Sequence, residues 1–193
     1  MQKRAKEVQK YLDKEFPLKP NEVKTDLYYL KKSKYTLLIA ILLSANTSDK
    51  QVNNVTPILF KLADSPIKMI RLGKSKIRNI IKSIGLSDKK ASYIIDLSKI
   101  LIKEYNGRVP KDKKELIKLP GIGNKIAGVF LINAGGNADL PVDTHVKRCA
   151  IKWKLTKETN PTKISEDLKR LFPKRNWAKI HYQMINAGRA KKC

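Results

Sequence analysis

Apolar residues recur three and four positions apart along almost the whole chain, most clearly over residues 37–42 and 94–101. Residues at this spacing share one face of an α-helix. The strict alternation of apolar and polar residues that marks a half-buried strand is missing. Turn-forming residues interrupt the helical pattern at about ten places. The sequence therefore predicts an all-α protein of about ten short helices.

Two segments have the form of a helix, a glycine turn and a second helix. Residues 81–95, "IKSIGLSDKKASYII", overlay residues 117–131, "IKLPGIGNKIAGVFL", and the alignment pairs Gly85 with Gly121. Five identities in fifteen aligned positions can also arise by chance in a chain rich in Lys and Ile. Two copies also do not make a solenoid. We expect two exposed turns on related helical hairpins.

The chain carries a large excess of positive charge. Its 42 lysines and arginines oppose 17 acidic residues, which gives a formal net charge of +25. Each cation brought to a phosphate releases condensed counterions, so this excess favours a polyanionic partner, and nucleic acid is the first candidate. Codon usage is the alternative explanation, because lysine outnumbers arginine 34 to 8 and an AT-rich genome would also produce that bias.

A lysine-rich surface can also meet anionic lipid. The sequence has neither an apolar run of about 18 residues nor an N-terminal signal segment, however. We therefore expect a soluble, intracellular protein with no membrane partner. In a prokaryote it would be cytoplasmic and associated with the nucleoid.

The chain contains only two cysteines, Cys149 and Cys193. Two are too few for a disulfide scaffold or a four-thiolate metal site, and neither belongs to a C-x-x-C pattern. We expect one inert core thiol and one terminal thiol.

The segment "LPGIGNKIAG", residues 119–128, combines a tight turn with the start of a helix. Pro120 and Gly121 turn the chain, and Gly123 lets the backbone approach another molecule before a helix begins near Asn124. Unpaired N–H groups at such a helix N-terminus can hold a phosphate. A bare Gly-x-Gly is also typical of an ordinary interhelical turn, but the full string with its apolar flanks is far more specific.

This string matches the helix-hairpin-helix motif, and the chain resembles the endonuclease III branch of the DNA glycosylases over nearly its whole length. The resemblance implies an all-α, two-lobed glycosylase fold. One lobe would be a six-helix barrel with the helix-hairpin-helix, residues 27–137, and the other would combine residues 1–26 and 138–193. The segments that carry the resemblance, in family order, are "LLIAILLSANTSDKQVN", "SIGLSDKKA", "YNGRVPKDKKELIKLPGIGNKIAGVFL" and "LPVDTHVKRC".

The resemblance implies a base-excision-repair DNA glycosylase that removes a damaged base, usually an oxidised pyrimidine, and nicks the abasic site. Its partner would be double-stranded DNA with a damaged base or an abasic site, and we expect a monomer. A monofunctional glycosylase and a non-catalytic helix-hairpin-helix module that only grips DNA are the alternatives. Lys125 argues against the first, since relatives without lyase activity usually lack that lysine. Lys125 and Asp143 together argue against the second.

Lys125 stands at the position of the family's nucleophilic lysine. By the resemblance, its amine would attack the sugar C1′, expel the base and form a Schiff base that undergoes β-elimination. The attack needs a neutral amine. The helix macrodipole, surrounding positive charge and desolvation by bound DNA would all disfavour the cation. Without the resemblance, Lys125 is one solvated or phosphate-contacting lysine among 34.

Asp143, in "PVDTH", matches the family's catalytic aspartate. Its carboxylate would stabilise positive charge on the sugar and help to move the proton from the lysine. Asp143 is also a favourable N-cap for the helix that follows, and both roles can hold at once. The resemblance places Lys125 and Asp143 on opposite walls of a cleft. His145 is expected to contact backbone or phosphate.

An enzyme that acts on a base inside duplex DNA must flip the nucleotide out. By the resemblance, Asn46 would fill the vacated stack and Leu86 would wedge the opposite side. The family more often has glutamine where Asn46 stands, which leaves the opposite-base preference open. Asp49 resembles a pocket-side carboxylate for the damaged base, although an N-cap for the helix beginning near Lys50 fits it equally well. The other expected DNA-binding residues are Gly121, Gly123, Lys89 and Arg189.

Most relatives carry a four-cysteine iron–sulfur cluster after a segment like "WAKIHYQMINAGRAKKC". Cys193 stands near the first ligand and the sequence has too few thiolates for the set, so we expect no iron–sulfur cluster. Either this branch lost the cluster or the chain has been shortened. Arg189 would then supply a phosphate contact, with a solvated tail as the alternative. The expected chemistry needs no catalytic metal or redox cofactor, and a monovalent cation at the hairpin is compatible with the family.

Overall fold

The computed structural model describes residues 1–18, 33–135 and 139–193. These ranges contain eleven α-helices and a 3-10 turn at Lys174–Asn176, and they contain no strand. The predicted all-α class is confirmed, and the number of helices in the described ranges is close to the expected number of about ten. The helices are α1 Gln2–Glu15, α2 Lys34–Ser44, α3 Asp49–Leu62, α4 Pro66–Leu72, α5 Lys74–Ile80, α6 Ser87–Tyr105, α7 Lys113–Leu116, α8 Asn124–Asn133, α9 Thr144–Lys152, α10 Pro161–Leu171 and α11 Trp177–Arg189.

The helices group into two compact units. The hairpin unit contains α2 to α8, within Thr25–Gly136. The terminal unit contains α1 and α9 to α11, within Met1–Lys24 and Asn137–Cys193. The domain boundaries expected after residues 26 and 137 lie outside the described residues. No helix of the described ranges has the length and apolar character needed to cross a membrane.

Helix α2 forms the centre of the hairpin unit. All residues from Tyr35 to Leu43 are buried, as expected of a helix that is apolar on every side. Helices α3, α6 and α8 pack against it. Its start is defined by Ser33 and Thr36, which form a capping box in which each side chain accepts from the other's backbone N–H. This buried helix holds the loop that follows Ser44 at a defined place in the unit.

Close packing of α9 against α11 organises the terminal unit. A Cβ atom on Gly188 would lie 2.7 Å from the Cβ of His145, so only glycine lets the two helices approach this closely. The Arg148 guanidinium donates to the carbonyl of Gly188 across the same contact. Each of the four helices contributes fully buried apolar side chains, which include Leu12, Val146, Cys149, Ile164, Leu168, Ile180 and Met184.

The expectation of two free thiols is wrong, because Cys149 and Cys193 form a disulfide. Their Cα atoms are 5.0 Å apart although the residues are separated by 44 positions. The end of the chain returns to α9, where Lys152 Nζ donates to the carbonyl of Cys193 at 3.0 Å. The sequence could not indicate this pairing because it depends on the packing of α9 against α11.

Reduction of the disulfide should lower the free energy of unfolding by about 2–4 kcal/mol, because the bond closes a long loop in the unfolded chain. Denaturant unfolding with and without dithiothreitol measures the difference. The Cys193→Ser variant is the control, and it should respond to dithiothreitol by less than about 0.5 kcal/mol. Equal stability of the oxidised and reduced wild type would contradict the expectation.

Candidate functional site

The helix-hairpin-helix motif consists of α7, a turn and α8. Asp112 caps α7, with its Oδ1 accepting from the backbone N–H groups of Lys114 and Glu115 at 2.7 and 3.3 Å. The Tyr105 hydroxyl at the end of α6 donates to Glu115 at 2.7 Å, and this bond raises the pKa of Tyr105 to about 12. Glu115 thus ties α7 to α6. The hairpin is therefore bonded to α6, the helix that follows the first glycine turn.

The two glycines of the hairpin are required for different reasons. Gly121 has φ +79°, and a Cβ atom there would lie 2.6 Å from Cδ2 of Tyr93. Gly123 has an ordinary extended φ of −92°, and a Cβ atom there would have no protein atom within 4 Å. The fold therefore requires glycine at position 121 and leaves open space at position 123. The open space at Gly123 is compatible with the predicted approach of a DNA backbone at this position.

Substitution of the two glycines should separate folding from binding. Gly121→Ala should destabilise the protein by about 2–4 kcal/mol, because it combines a left-handed φ with a clash against Tyr93. Gly123→Ala should cost less than about 1 kcal/mol as an N-cap change and weaken DNA binding by about tenfold. Denaturant unfolding and DNA titration measure the two effects. Unchanged DNA affinity of Gly123→Ala would exclude close approach at this position.

Lys125 is the second residue of α8 and is exposed. The helix begins after Gly123, whose position has no side-chain cap, so the first N–H groups of α8 are not occupied by a capping side chain. The structure thus presents an exposed amine beside a free helix N-terminus. Unoccupied N–H groups at this helix start agree with the turn expected from the sequence, and a contact with a sugar-phosphate backbone stays a prediction.

Asn46 lies in the loop between α2 and α3. It is exposed and has a left-handed backbone with φ 54°. The N-cap interpretation of Asp49 is wrong, because Ser48 caps α3 through a bond from Gln51 N to Ser48 Oγ of 3.3 Å. Asp49 is instead the first residue of α3, where a carboxylate interacts favourably with the macrodipole. The role of Asp49 in a base pocket stays a prediction.

Leu86 lies in the first glycine turn, immediately before α6. It also has a left-handed backbone, with φ 60°, and its side chain is 66% exposed. A leucine in the left-handed region is strained, and strained residues of this kind cluster at functional sites. Lys89 is exposed three residues further on, with Nζ 5.8 Å from the ring centroid of Tyr93.

The structure brings four of the predicted DNA-binding residues together around one cavity of about 140 Å³ in the hairpin unit. Asn46, Leu86, Lys89 and Gly121 all line it. The two glycine turns are therefore neighbours, and Tyr93 lines the same cavity and lies against Gly121. The related hairpins expected from the internal overlay present their turns to the same place.

Lys90 lines the same cavity and is only 5% exposed, although it is not among the site residues predicted from the sequence. Burial lowers the pKa of Lys90 below its usual value. A signal was present in the sequence, because Lys90 precedes Ile94 by four positions and Leu97 by seven. These positions form the apolar stripe of α6, which faces the core.

Asp143 is the N-cap of α9, and its Oδ1 accepts from Val146 N at 2.8 Å. The cap interpretation is confirmed. The extended segment before it is anchored by Ser165, whose hydroxyl donates to the carbonyl of Leu140 at 2.6 Å, and by the buried His181, whose Nδ1 donates to the carbonyl of Pro141 at 2.8 Å. These bonds hold the backbone that carries the Asp143 carboxylate. Lys125 and Asp143 belong to different units, and their pairing across a cleft stays a prediction.

His145 and Arg189 both lie near the contact of α9 with α11. The Cβ of His145 rests on Gly188, and its Nδ1 lies 3.3 Å from a guanidinium nitrogen of Arg148. Arg189 is the last residue of α11 and is exposed. Over the described ranges, no group of three or more His, Cys, Asp or Glu side chains is arranged to hold a metal ion.

The all-α fold with its helix-hairpin-helix agrees with the result of the family comparison. The chain belongs to the HhH-GPD superfamily of base excision DNA repair proteins, whose family model matches residues 39–174.

Within this superfamily the chain is similar to endonuclease III. The endonuclease III of Rickettsia felis is 42% identical over 166 residues, which cover 86% of this chain and 77% of that protein. A solved non-covalent endonuclease III–DNA complex superposes with a TM-score of 0.89 at 34% identity, covering 98% of this chain and 86% of that one. A trapped endonuclease III–DNA covalent intermediate gives a TM-score of 0.87 at 33% identity, with 98% and 87% coverage. The chain is an endonuclease III-like base-excision-repair glycosylase.

Proposed function

We propose that this protein is a bifunctional DNA glycosylase that removes an oxidised pyrimidine from duplex DNA and cleaves the abasic site. The observation that carries the proposal is the exposed Lys125 in the first turn of α8, directly after the hairpin. The similarity to an endonuclease III trapped as a covalent intermediate with DNA supports a covalent mechanism.

The reaction would begin when the neutral Lys125 amine attacks C1′ of the damaged nucleotide. The C1′–N bond breaks, the base leaves with the bonding electron pair, and a proton is delivered to it. The attacking nitrogen would then lose one of its two protons to Asp143, and O4′ would leave C1′ with its bonding electrons and take up a proton, which gives a protonated Schiff base between Nζ and C1′. Removal of a proton from C2′ then expels the 3′ phosphate by β-elimination, and water releases Lys125.

The Asp143 carboxylate would stabilise the positive charge that develops on the sugar during base departure and accept a proton from the lysine. Its N-cap bond to Val146 supports this role, because it fixes Oδ1 while the described residues provide no partner for Oδ2. The anchoring of residues 139–143 by Ser165 and His181 limits motion of the carboxylate.

The cavity between the two glycine turns supports a base-flipping step. Asn46 and Leu86 are exposed at its rim, and both are held in left-handed turns. We propose that Asn46 occupies the gap left by the damaged nucleotide and that Leu86 separates the neighbouring base on the other strand. Gly121, Gly123 and Lys89 would hold the phosphates beside them, and His145 and Arg189 would contact the backbone from the terminal unit.

A panel of duplexes, each with one oxidised pyrimidine, and one abasic duplex would test the proposal. We expect excision of at least one pyrimidine lesion, a nick on the 3′ side and a protein–DNA adduct that borohydride makes permanent. A monofunctional glycosylase would excise a base without forming the adduct. A non-catalytic helix-hairpin-helix module would bind the duplexes and would give neither an excised base nor a protein–DNA adduct.

A further inference from the structure

Lys90 is a buried lysine whose ammonium group meets three oxygen atoms. Its Nζ donates to the carbonyl of Leu43 at 2.9 Å, to the carbonyl of Ala45 at 2.7 Å and to Oγ1 of Thr47 at 3.1 Å. Lysine is almost never fully buried unless it is paired, and three acceptors match its three N–H donors. These carbonyls also lie at the negative end of the α2 macrodipole, which stabilises a cation.

The acceptors of Lys90 flank Asn46. Ala45 precedes it and Thr47 follows it, so the ammonium group joins the two sides of the turn in which Asn46 is left-handed. Asn46 itself is exposed, and neither of these bonds involves its side chain. The ammonium group that joins the two sides of this turn therefore belongs to a residue that is only 5% exposed.

The backbone of Lys90 is bonded to the second loop of the cavity. Its N–H donates to the carbonyl of Leu86 at 2.9 Å in the first turn of α6. One residue thus connects Asn46 through its side chain and Leu86 through its main chain.

We propose that Lys90 is a positioning residue that sets the separation of Asn46 and Leu86, so that both enter the duplex together at the site of a flipped-out nucleotide. This inference rests on the proposed function, because it assigns to Lys90 the geometry that base flipping requires. Lys90 does not touch DNA and acts through the Asn46 loop.

Loss of the Lys90 amine should reduce the preference for lesion DNA without reducing the affinity for intact DNA. The measurement is the ratio of dissociation constants for an intact duplex and for a duplex with a tetrahydrofuran abasic analogue. Lys90→Met should lower this ratio by about tenfold, while the intact-duplex constant changes by less than about twofold. Lys99→Met, which removes an exposed lysine from the same helix, should leave the ratio unchanged.

A double-mutant cycle distinguishes positioning from general loss of structure. If Lys90 acts through the Asn46 loop, Lys90→Met added to Asn46→Ala should lower the ratio by less than about twofold beyond Asn46→Ala alone. An equal effect of Lys90→Met in both backgrounds, or a wild-type ratio in the single variant, would overturn the inference. Thermal unfolding of each variant establishes that it is folded at the assay temperature.

Thr47→Val provides a second route if Lys90→Met does not fold. It removes one acceptor from the ammonium group and keeps the charge and the approximate volume of the side chain. We expect a threefold to tenfold lower ratio, about 0.7–1.4 kcal/mol, and again no further loss in the Asn46→Ala background. An unchanged ratio for Thr47→Val would then contradict the inference. A wild-type protein without any lesion preference would instead contradict the proposed function.

Discussion

Lys125→Ala should abolish the borohydride-stable adduct with abasic DNA, with a decrease of about a thousandfold or more in the rate of adduct formation. The reason is that a Schiff base cannot form without a primary amine, and loss of a nucleophile removes the covalent path as a whole. Single-turnover trapping with denaturing electrophoresis measures the rate.

The fold of the Lys125→Ala variant should be unaffected. Lys125 is exposed, and alanine is a good helix former, so the free energy of unfolding should change by less than about 0.5 kcal/mol. Lys99→Ala removes an equal charge from an exposed site in the same unit and should keep the wild-type trapping rate. Adduct formation by Lys125→Ala at the wild-type rate would mean that another amine is the nucleophile.

Asp143→Asn should slow base excision by about 100- to 1000-fold while the protein stays as stable as the wild type. The substitution removes the charge that stabilises the cationic sugar. It keeps the cap on α9, since asparagine is as good an N-cap as aspartate and its side-chain oxygen can accept from Val146 N. Single-turnover excision and denaturant unfolding measure the two properties.

Asp143→Ala separates the two roles of this residue. It should slow excision as much as Asp143→Asn does, and it should also lose about 1 kcal/mol of stability because the cap is lost. If Asp143→Asn excises the base at the wild-type rate and only Asp143→Ala is impaired, Asp143 is a structural cap with no part in the chemistry.

The wrong interpretations share a cause. Two cysteines far apart in sequence gave no indication of a bond, although Cys149 and Cys193 meet where α9 packs against the end of the chain. Asp49 and Ser48 are both good N-caps by residue type, and only the start of α3 shows that Ser48 is the cap. In each case the decision depends on backbone placement, which residue identity does not report.

The hydrogen-bond partners of Lys90 also depend on backbone placement. Its place on the apolar stripe of α6 was visible in the sequence, but nothing local shows which oxygens it meets. Its acceptors lie more than 40 residues away in the chain, at the end of α2 and in the loop that follows. A buried lysine can be suspected from periodicity, whereas its partners depend on how α2 and α6 pack.

Local patterns were sufficient for the all-α class, the hairpin turn, the helix start at Asn124 and the cap at Asp143, because helix periodicity, turn chemistry and capping act over a few neighbouring residues. Tertiary structure alone decided that both glycine turns reach one cavity, that Tyr93 excludes a side chain at Gly121, and that Cys149 bonds Cys193. These features arise from contacts between segments distant in sequence, whose geometry is determined when the helices pack against one another.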